Sequence, residues 1–334
     1  MKKHNIIAMA LTSLMALPVI AQDSTPAVGD ILQGINMFTP EEGDPAYKVK
    51  ANEKYGTQWG VDMAYGLWNT EKVSDVKRHN NLALLHAQLN QRLIEDKANG
   101  GTWLRVEFSG SWGLDRESAQ SDTFFTEAYA TASGLHADAM GPHEGIFPEV
   151  ALMQYFAGKR ACLIAGMVNL TNYFDAVSIA NDSFSSFTND GFVNSTILPL
   201  VDSNIGGILQ VELNRNNYMM VAVSRTGCDS GYNPFNSDYC DGYAVVGEYG
   251  HIFADGAATL RINPFYTSTD VDMDDGTGER RRQNAGLVAS IEYTPCDPLT
   301  IYSRAGFAAK QYLSNSAESV SYTHLRAHET GRNL

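Results

Sequence analysis

The chain has 334 residues, a formal net charge of −14, 44% hydrophobic residues and 19% charged ones. That acidic balance repels nucleic acid, no basic stripe offsets it, and nucleic-acid partners are excluded. After Ala21 no apolar run reaches the ~18 residues of a spanning helix, and the mean hydropathy is slightly negative, so a helical membrane protein is excluded as well.

Residues 1–21 read as a secretory signal peptide. Lys2 and Lys3 start it, an apolar run follows from Ile6 to Ile20, and Val19-Ile-Ala21 supplies small residues before a cut at Gln22. Residues 22–58 then form an N-terminal periplasmic segment. From there the chain alternates apolar and polar residues over short stretches, most clearly in Leu209-Gln-Val-Glu-Leu-Asn214. A period of two sends the two sets to opposite faces of a strand. Eleven such strands are predicted, over 59–67, 81–93, 102–109, 149–157, 160–168, 207–214, 218–225, 243–253, 257–265, 285–294 and 298–307. Each is near the ~10 residues that a tilted strand needs to cross a bilayer.

The connections alternate as well. Gly158-Lys159, the turn at 214–217, Ala254-Asp-Gly256 and Pro295-Cys-Asp297 are tight, whereas 110–148, 169–206, 226–242 and 266–284 are long. Short turns toward the periplasm and long loops outside are how an outer-membrane barrel is built. The expected fold is thus an all-β, antiparallel transmembrane barrel occupying residues 59–319. On its lipid face stand Leu85, Ala87, Leu89, Leu104, Val106, Phe108, Met219, Val221, Val223, Leu260, Ile262, Leu287, Ala289 and Ile291. The opposite face carries both signs of charge and reads as a wet lumen. Trp59, Trp103, Tyr155, Tyr218, Phe253, Tyr293 and Phe307 are expected in aromatic girdles at the interfaces.

An odd strand count does not suit a single-chain barrel, and an open edge in lipid leaves backbone groups unsatisfied. More strands are therefore expected than these eleven. The C-terminal run Val320-Ser-Tyr-Thr-His-Leu-Arg-Ala-His-Glu-Thr330 resembles the translation of a transposase-type sequencing adapter, so residues 320–334 are set apart from the fold as non-native.

Four cysteines follow the signal. Cys228 and Cys240 bracket a turn-rich loop and are expected to form a disulfide in an oxidising compartment, while the pairing of Cys162 and Cys296 stays open. Asp270-Val-Asp-Met-Asp-Asp-Gly276 departs from the calcium-loop pattern, with Asp275 where glycine belongs and Arg281 where glutamate belongs. It reads as a solvated acidic loop that pairs with the neighbouring Arg280, Arg281 and Arg282. No nucleophile–base spacing marks His86 and Ser109, and there is no phosphate loop or metal-ligand spacing. An enzyme, a metal and a cofactor are not expected.

From Asn81 to Phe307 the chain resembles the carbohydrate-selective porin family (OprB type). The resemblance rests on Thr102-Trp-Leu-Arg-Val-Glu-Phe-Ser-Gly-Ser-Trp-Gly113, Met153-Gln-Tyr-Phe156 and Leu163-Ile-Ala-Gly-Met-Val168. It continues through Tyr173-Phe-Asp175, Ala180-Asn-Asp182, Phe187-Thr-Asn189 and Gly191-Phe-Val-Asn194. Met167 departs from it, since a basic residue is common there. The resemblance implies a barrel of about sixteen strands, hence about five beyond those read here. It also implies passive uptake of small sugars across a Gram-negative outer membrane, with lipid and lipopolysaccharide around the barrel and a homotrimer as the assembly. A general or cation-favouring porin, or a non-transporting adhesion barrel, are the alternatives.

The residues expected to line the pore are Arg105, Glu107, Glu212, Arg261, Glu292, Tyr302 and Arg304 on the strands. The segment 169–206 is expected to fold into the lumen and narrow it, presenting Phe174, Asp175, Asn181, Asp182 and Phe187 to sugar or anchoring itself to the wall through them.

Overall fold

A short helix, α1 (Ala46–Tyr55), precedes twelve strands: β1 (Thr57–Asn69), β2 (His79–Ile94), β3 (Thr102–Gly113), β4 (His143–Phe156), β5 (Ala161–Val168), β6 (Asn204–Asn214), β7 (Asn217–Thr226), β8 (Gly242–Phe253), β9 (Ala258–Asp272), β10 (Arg280–Cys296), β11 (Leu299–Ala308) and β12 (Ala317–Leu325). The computed structural model describes residues 45–69, 79–113, 143–178, 194–195, 197–201, 203–226, 242–272, 280–296, 299–309 and 317–325. Every strand lies antiparallel to its chain neighbour in one sheet that follows chain order. Meander order is what tight turns impose, because a short connection leaves a strand no route past its neighbour.

All eleven predicted strands are present, and most run longer than expected, β9 and β10 by the largest margins. β9 and β10 run on into the acidic and basic stretches, and their register sets Asp272 opposite Arg280 and Asp270 opposite Arg282. A composition that reads as a loop is thus paired as strand at 266–272 and 280–284. The twelfth strand is unexpected: Ala317–Leu325 pairs with β11 from Leu299↔Leu325 to Phe307↔Ala317, and from Val320 on it falls in the tail set apart above. Main-chain pairing is tolerant of side chains, and the free edge of β11 accepts an extended segment on backbone bonds alone. Among the described residues, β1 pairs only with β2 and β12 only with β11.

Burial alternates along the strands as the period of two requires. On β7, Tyr218, Met220, Ala222 and Ser224 are buried, while Met219, Val221 and Val223 between them are 49%, 43% and 52% exposed. Leu89, Leu152, Leu163, Leu209 and Ile301 continue this exposed apolar face across the sheet. An apolar exterior over a polar inner face inverts the order of a soluble protein and suits lipid. The face expected to meet lipid is the outward one throughout.

Two expectations about the inner face need correction. Trp103, Tyr155 and Tyr218 are buried inside, at most 5% exposed, and so are not girdle residues; their strand parity, shared with Arg105, Met153 and Met220, turns them inward. Nor is the inner face uniformly wet. Met153, Cys162, Ile164, Ile208, Met220, Val246 and Phe265 form an apolar cluster together with Leu170, Tyr173, Phe174, Ile197 and Leu198 of the segment between β5 and β6. Periodicity tells which side a residue faces, not what covers that side.

The short-turn rim is stitched from turn to turn. The side-chain carbonyl of Asn99 accepts from Gly158 N at 3.0 Å. Arg160 donates to the carbonyls of Glu212 and Leu213 at 3.2 and 2.9 Å. The amide of Asn216 donates to Ile252 O at 2.8 Å, and Ala257 O accepts from Thr294 N at 2.8 Å. Gly158 and Lys159, at φ 67° and 68°, give the β4–β5 turn the left-handed backbone that matches strand twist. α1 sits at the same rim. It ends on Gly56 at φ 65°, whose carbonyl accepts from Arg92 N at 2.8 Å. In the β2–β3 turn, the side-chain amide of Asn99, with the Asn99 and Ala98 N–H groups, holds the Asp96 carboxyl below its usual 3.8. A carboxyl lowered in the fold stabilises above its unfolded value and loses that contribution as pH falls through the folded one.

A lipid-facing charge should cost most at the middle of a strand. Val221→Lys, halfway along β7, should destabilise the refolded protein in phospholipid vesicles by about 2–4 kcal/mol, and Leu213→Lys at the rim end of β6 by about 0–1. Urea titration checks both; equal costs would contradict the lipid assignment of this face.

Candidate pore site

The segment from Asn169 to Ser203 returns to where it started. Leu170 N donates to Val201 O at 2.9 Å, and Ser203 N to Pro148 O at 3.1 Å. Asn169 opens the segment with a cap: its Oδ1 accepts from Thr171 N at 3.2 Å and from Thr171 Oγ1 at 2.6 Å, closing a 3-10 turn over Leu170–Asn172. Leu170, Tyr173, Phe174 and Val177 are then fully buried. Burying such side chains is worth roughly 1.5–3 kcal/mol each, which draws the segment onto the apolar inner surface of the middle strands.

Two polar clusters fix it there. In the first, Arg105 Nε donates to Glu149 Oε2 at 2.9 Å across β3 and β4. The Tyr173 hydroxyl donates to the other Glu149 oxygen. The Asn172 amide donates to Glu107 at 2.6 Å and to Glu149 at 3.0 Å. His86 Nε2 of β2 lies 2.6 Å from the second oxygen of Glu107, and the Arg105 guanidinium stands 5.9 Å from the Tyr173 ring centroid.

The second cluster lies on the other side of the segment. Asp175 N donates to Glu248 of β8 at 2.8 Å, and Glu248 also accepts from Tyr218 and Asn263 at 2.8 and 2.7 Å. Arg304 Nη2 of β11 meets Asp175 Oδ2 at 2.7 Å, and Ser195 N donates to the same oxygen at 2.8 Å. Ser178 donates to Glu292 of β10 through its N–H at 3.1 Å and through its hydroxyl, and Arg261 of β9 reaches the other Glu292 oxygen at 3.2 Å. The chain between Asn172 and Ser178 therefore crosses the inner face from β3–β4 to β8–β11. Asp175 makes that crossing at φ 55°, a costly backbone for a residue other than glycine. Its three anchors hold it in place.

Arg105, Glu107, Arg261, Glu292, Tyr302 and Arg304 all sit on the inner face, as read from the sequence, and all are 8% exposed or less. Glu212 shares that parity but lies at the short-turn rim, away from both clusters, where its backbone pairs with Arg160. Phe174 and Asp175 have no accessible surface, so they hold the segment rather than face a passing solute. Asn181, Asp182 and Phe187 lie outside the described residues, as do Cys228 and Cys240. Cys162 and Cys296 are free thiols, one buried and one exposed.

Sequence reading missed Glu149, Glu248, Asn172, Tyr173 and Ser178 as site residues. A signal existed for the two glutamates: each is the one charge of an apolar stretch, Glu149-Val-Ala-Leu-Met153 and Val245-Val-Gly-Glu248. A lone ionisable group at membrane depth needs a buried partner. Asn172 and Ser178 left none, because their roles depend on where the segment lands. The arrangement provides no nucleophile poised beside a base. Register sets Ser109 opposite His86, but the His86 nitrogen is engaged by Glu107. What the clusters can do is hold a rigid partition across the inside of a barrel.

No protein-family model matches the chain, and no curated protein matches it. Among solved structures it is similar to the high-pH structure of OprB from Pseudomonas putida, with a TM-score of 0.61 at 11% identity, covering 86% of this chain and 74% of that one. Salmonella typhi OmpF in complex with daunomycin aligns with a TM-score of 0.37 at 10% identity, over 79% of this chain and 83% of that one. A mutant of the Rh. blastica porin aligns with a TM-score of 0.30 at 9% identity, over 80% and 100%. The likeness to the first of these, together with the inverted faces and the alternating connections, makes the fold an all-β antiparallel barrel of the outer-membrane porin type.

Proposed function

We propose that the chain is an outer-membrane porin through which small carbohydrates diffuse passively. The observation that carries this reading is the crossing of the inner face by residues 172–178, anchored on β3 and β4 at one end and on β8, β10 and β11 at the other. A segment so fixed narrows a barrel without closing it, and a fixed aperture is what size-limited diffusion requires. Arg105, Glu107, Arg261, Glu292, Tyr302 and Arg304 build its wall; Asn181, Asp182 and Phe187, outside the described residues, are assigned to sugar contact on the sequence resemblance alone. Mixed charges, amides and aromatic rings suit neutral, hydroxyl-rich solutes, and the resemblance to carbohydrate-selective porins points the same way.

The rest of the reading follows from that role. Residues 1–21 direct export and are removed, 22–58 remain on the periplasmic side with α1, and 59–319 form the barrel wall. Cys228 and Cys240 close a loop on the outer rim. With residues 320–334 set aside as non-native, the open sheet edges at β1 and β11 are closed by further strands. The barrel meets lipid and lipopolysaccharide and assembles as a homotrimer.

Two measurements test this. Liposomes holding the protein should swell in isotonic monosaccharide faster than in an oligosaccharide; no swelling with any sugar would contradict a carbohydrate pore. Arg304→Met removes the guanidinium beside the buried Asp175 carboxylate and should cost about 3–5 kcal/mol of stability. Where the variant still folds, its single-channel current should be larger and noisier than that of the wild type. An unchanged quiet current would contradict the anchoring role.

A further inference from the structure

Helix α1 is fixed at the short-turn rim, yet none of its ten residues is buried. A helix of that length is marginal in water without a packed face, so the core does not account for it. Its contacts show how it lies. On one side, Asn52 Oδ1 accepts from the side-chain amide of Gln58 at 3.2 Å, and Gln58 stands opposite Asn90 on the inner face. On the other, the Tyr47 ring stacks on Trp59 with 6.2 Å between centroids, and Lys48 Nζ is 4.7 Å from the centre of the same ring. Trp59 has the strand parity of Val61, Met63 and Tyr65, which are exposed on the apolar outer face. The helix therefore lies across the end of the wall, one side toward the lumen and the other at the lower edge of the lipid face.

Its charge runs against that of the chain. The protein carries a net −14, yet α1 sets Lys48, Lys50 and Lys54 against Glu53 alone. Tyr47, Lys50 and Lys54 are spaced i, i+3, i+7 and form one stripe along the helix, and all three are exposed. Leu93 and Ile94 are exposed at the same end of β2, just beyond the pairing of Thr57 with Gln91. Lysines and aromatic rings beside an apolar face are the composition of a membrane interface. The rings settle at headgroup level, and lysine stems lie along apolar surface with the ammonium in water. An ammonium so placed strengthens attraction to an anionic surface by about fivefold.

We propose that α1 is an interfacial anchor that binds anionic phospholipid headgroups at the short-turn rim. Lys50 and Lys54 meet the phosphates, and Tyr47 and Trp59 hold the boundary between headgroup and acyl chain. The surface is continuous with the lipid face of β1, which favours a membrane over an acidic protein as its partner. The inference depends on the outward face of the barrel and is independent of what passes through the inside.

The test is tryptophan quenching by brominated lipid. The protein is refolded into phosphatidylcholine vesicles holding increasing fractions of brominated phosphatidylglycerol or, in parallel, brominated phosphatidylcholine. Quenching should show a preference for phosphatidylglycerol of at least about tenfold. The variant K50Q/K54Q keeps Lys48 on the Trp59 ring and changes no strand residue, and its preference should fall to near parity. W59F removes the reporting ring and should lose the selective part of the quenching. Heat-modifiable mobility on gels checks that each variant holds a folded barrel. Equal quenching by the two lipids in the wild type would overturn the inference and leave the stripe to an acidic protein. A preference kept in K50Q/K54Q would overturn the role of the lysines, and one kept in W59F would place the lipid site away from α1 and overturn it as well.

Discussion

The ion pair between Arg304 and Asp175 is the contact on which the inside of this molecule depends. Both side chains are fully buried and 2.7 Å apart. One belongs to the wall at β11, the other to the segment that leaves β5 near the opposite side. Isolated charges are not tolerated at such depth, so each requires the other. Asp175 can make the pair only with its backbone in the left-handed region, and that conformation also aims its N–H at Glu248 and its carboxylate at Ser195 N. One residue thus joins β8 and β11 to both limbs of the segment.

The remainder of the architecture prepares this contact. Outside, Met219, Val221 and Val223 and their neighbours form an apolar face suited to lipid, while the charges Arg105, Glu107, Glu149, Glu248, Arg261, Glu292 and Arg304 turn inward. Inside, an apolar floor from Met153 to Val288 receives Tyr173, Phe174, Ile197 and Leu198. The hydrophobic floor supplies the energy that seats the segment. The polar clusters supply the direction, because Glu149, Glu248 and Glu292 all accept hydrogen bonds from it. At the rim, the turn-to-turn bonds from Asn99 to Thr294 keep neighbouring hairpins in step.

Much of this is legible in the sequence, for a physical reason. Strand parity has period two, so a few residues such as Leu209, Gln210 and Val211 assign a whole strand to its faces, and tight turns such as Gly158-Lys159 order the strands. What parity does not encode is depth or cover. Trp103, Tyr155 and Tyr218 read as interface aromatics by their place near strand ends, yet their parity sends them inside. Arg105, Glu107, Arg261, Glu292 and Arg304 were placed on the right face, but their partners were hidden, since Asn172, Tyr173, Asp175 and Ser178 reach them only through the path of the segment. The charged ends of β9 and β10 read as loop because composition does not reveal cross-strand register, and β12 is hidden because from Val320 on it resembles a non-native tail.

The central claim is that the segment between β5 and β6 lies across the inner face rather than outside the barrel. Disulfide trapping tests it most directly. In a full-length background lacking the native cysteines, Ser178→Cys and Glu292→Cys should cross-link under mild oxidation in intact outer membranes, because these two positions are in hydrogen-bond contact. Free thiols at both positions after oxidation, with the barrel folded, would contradict the account.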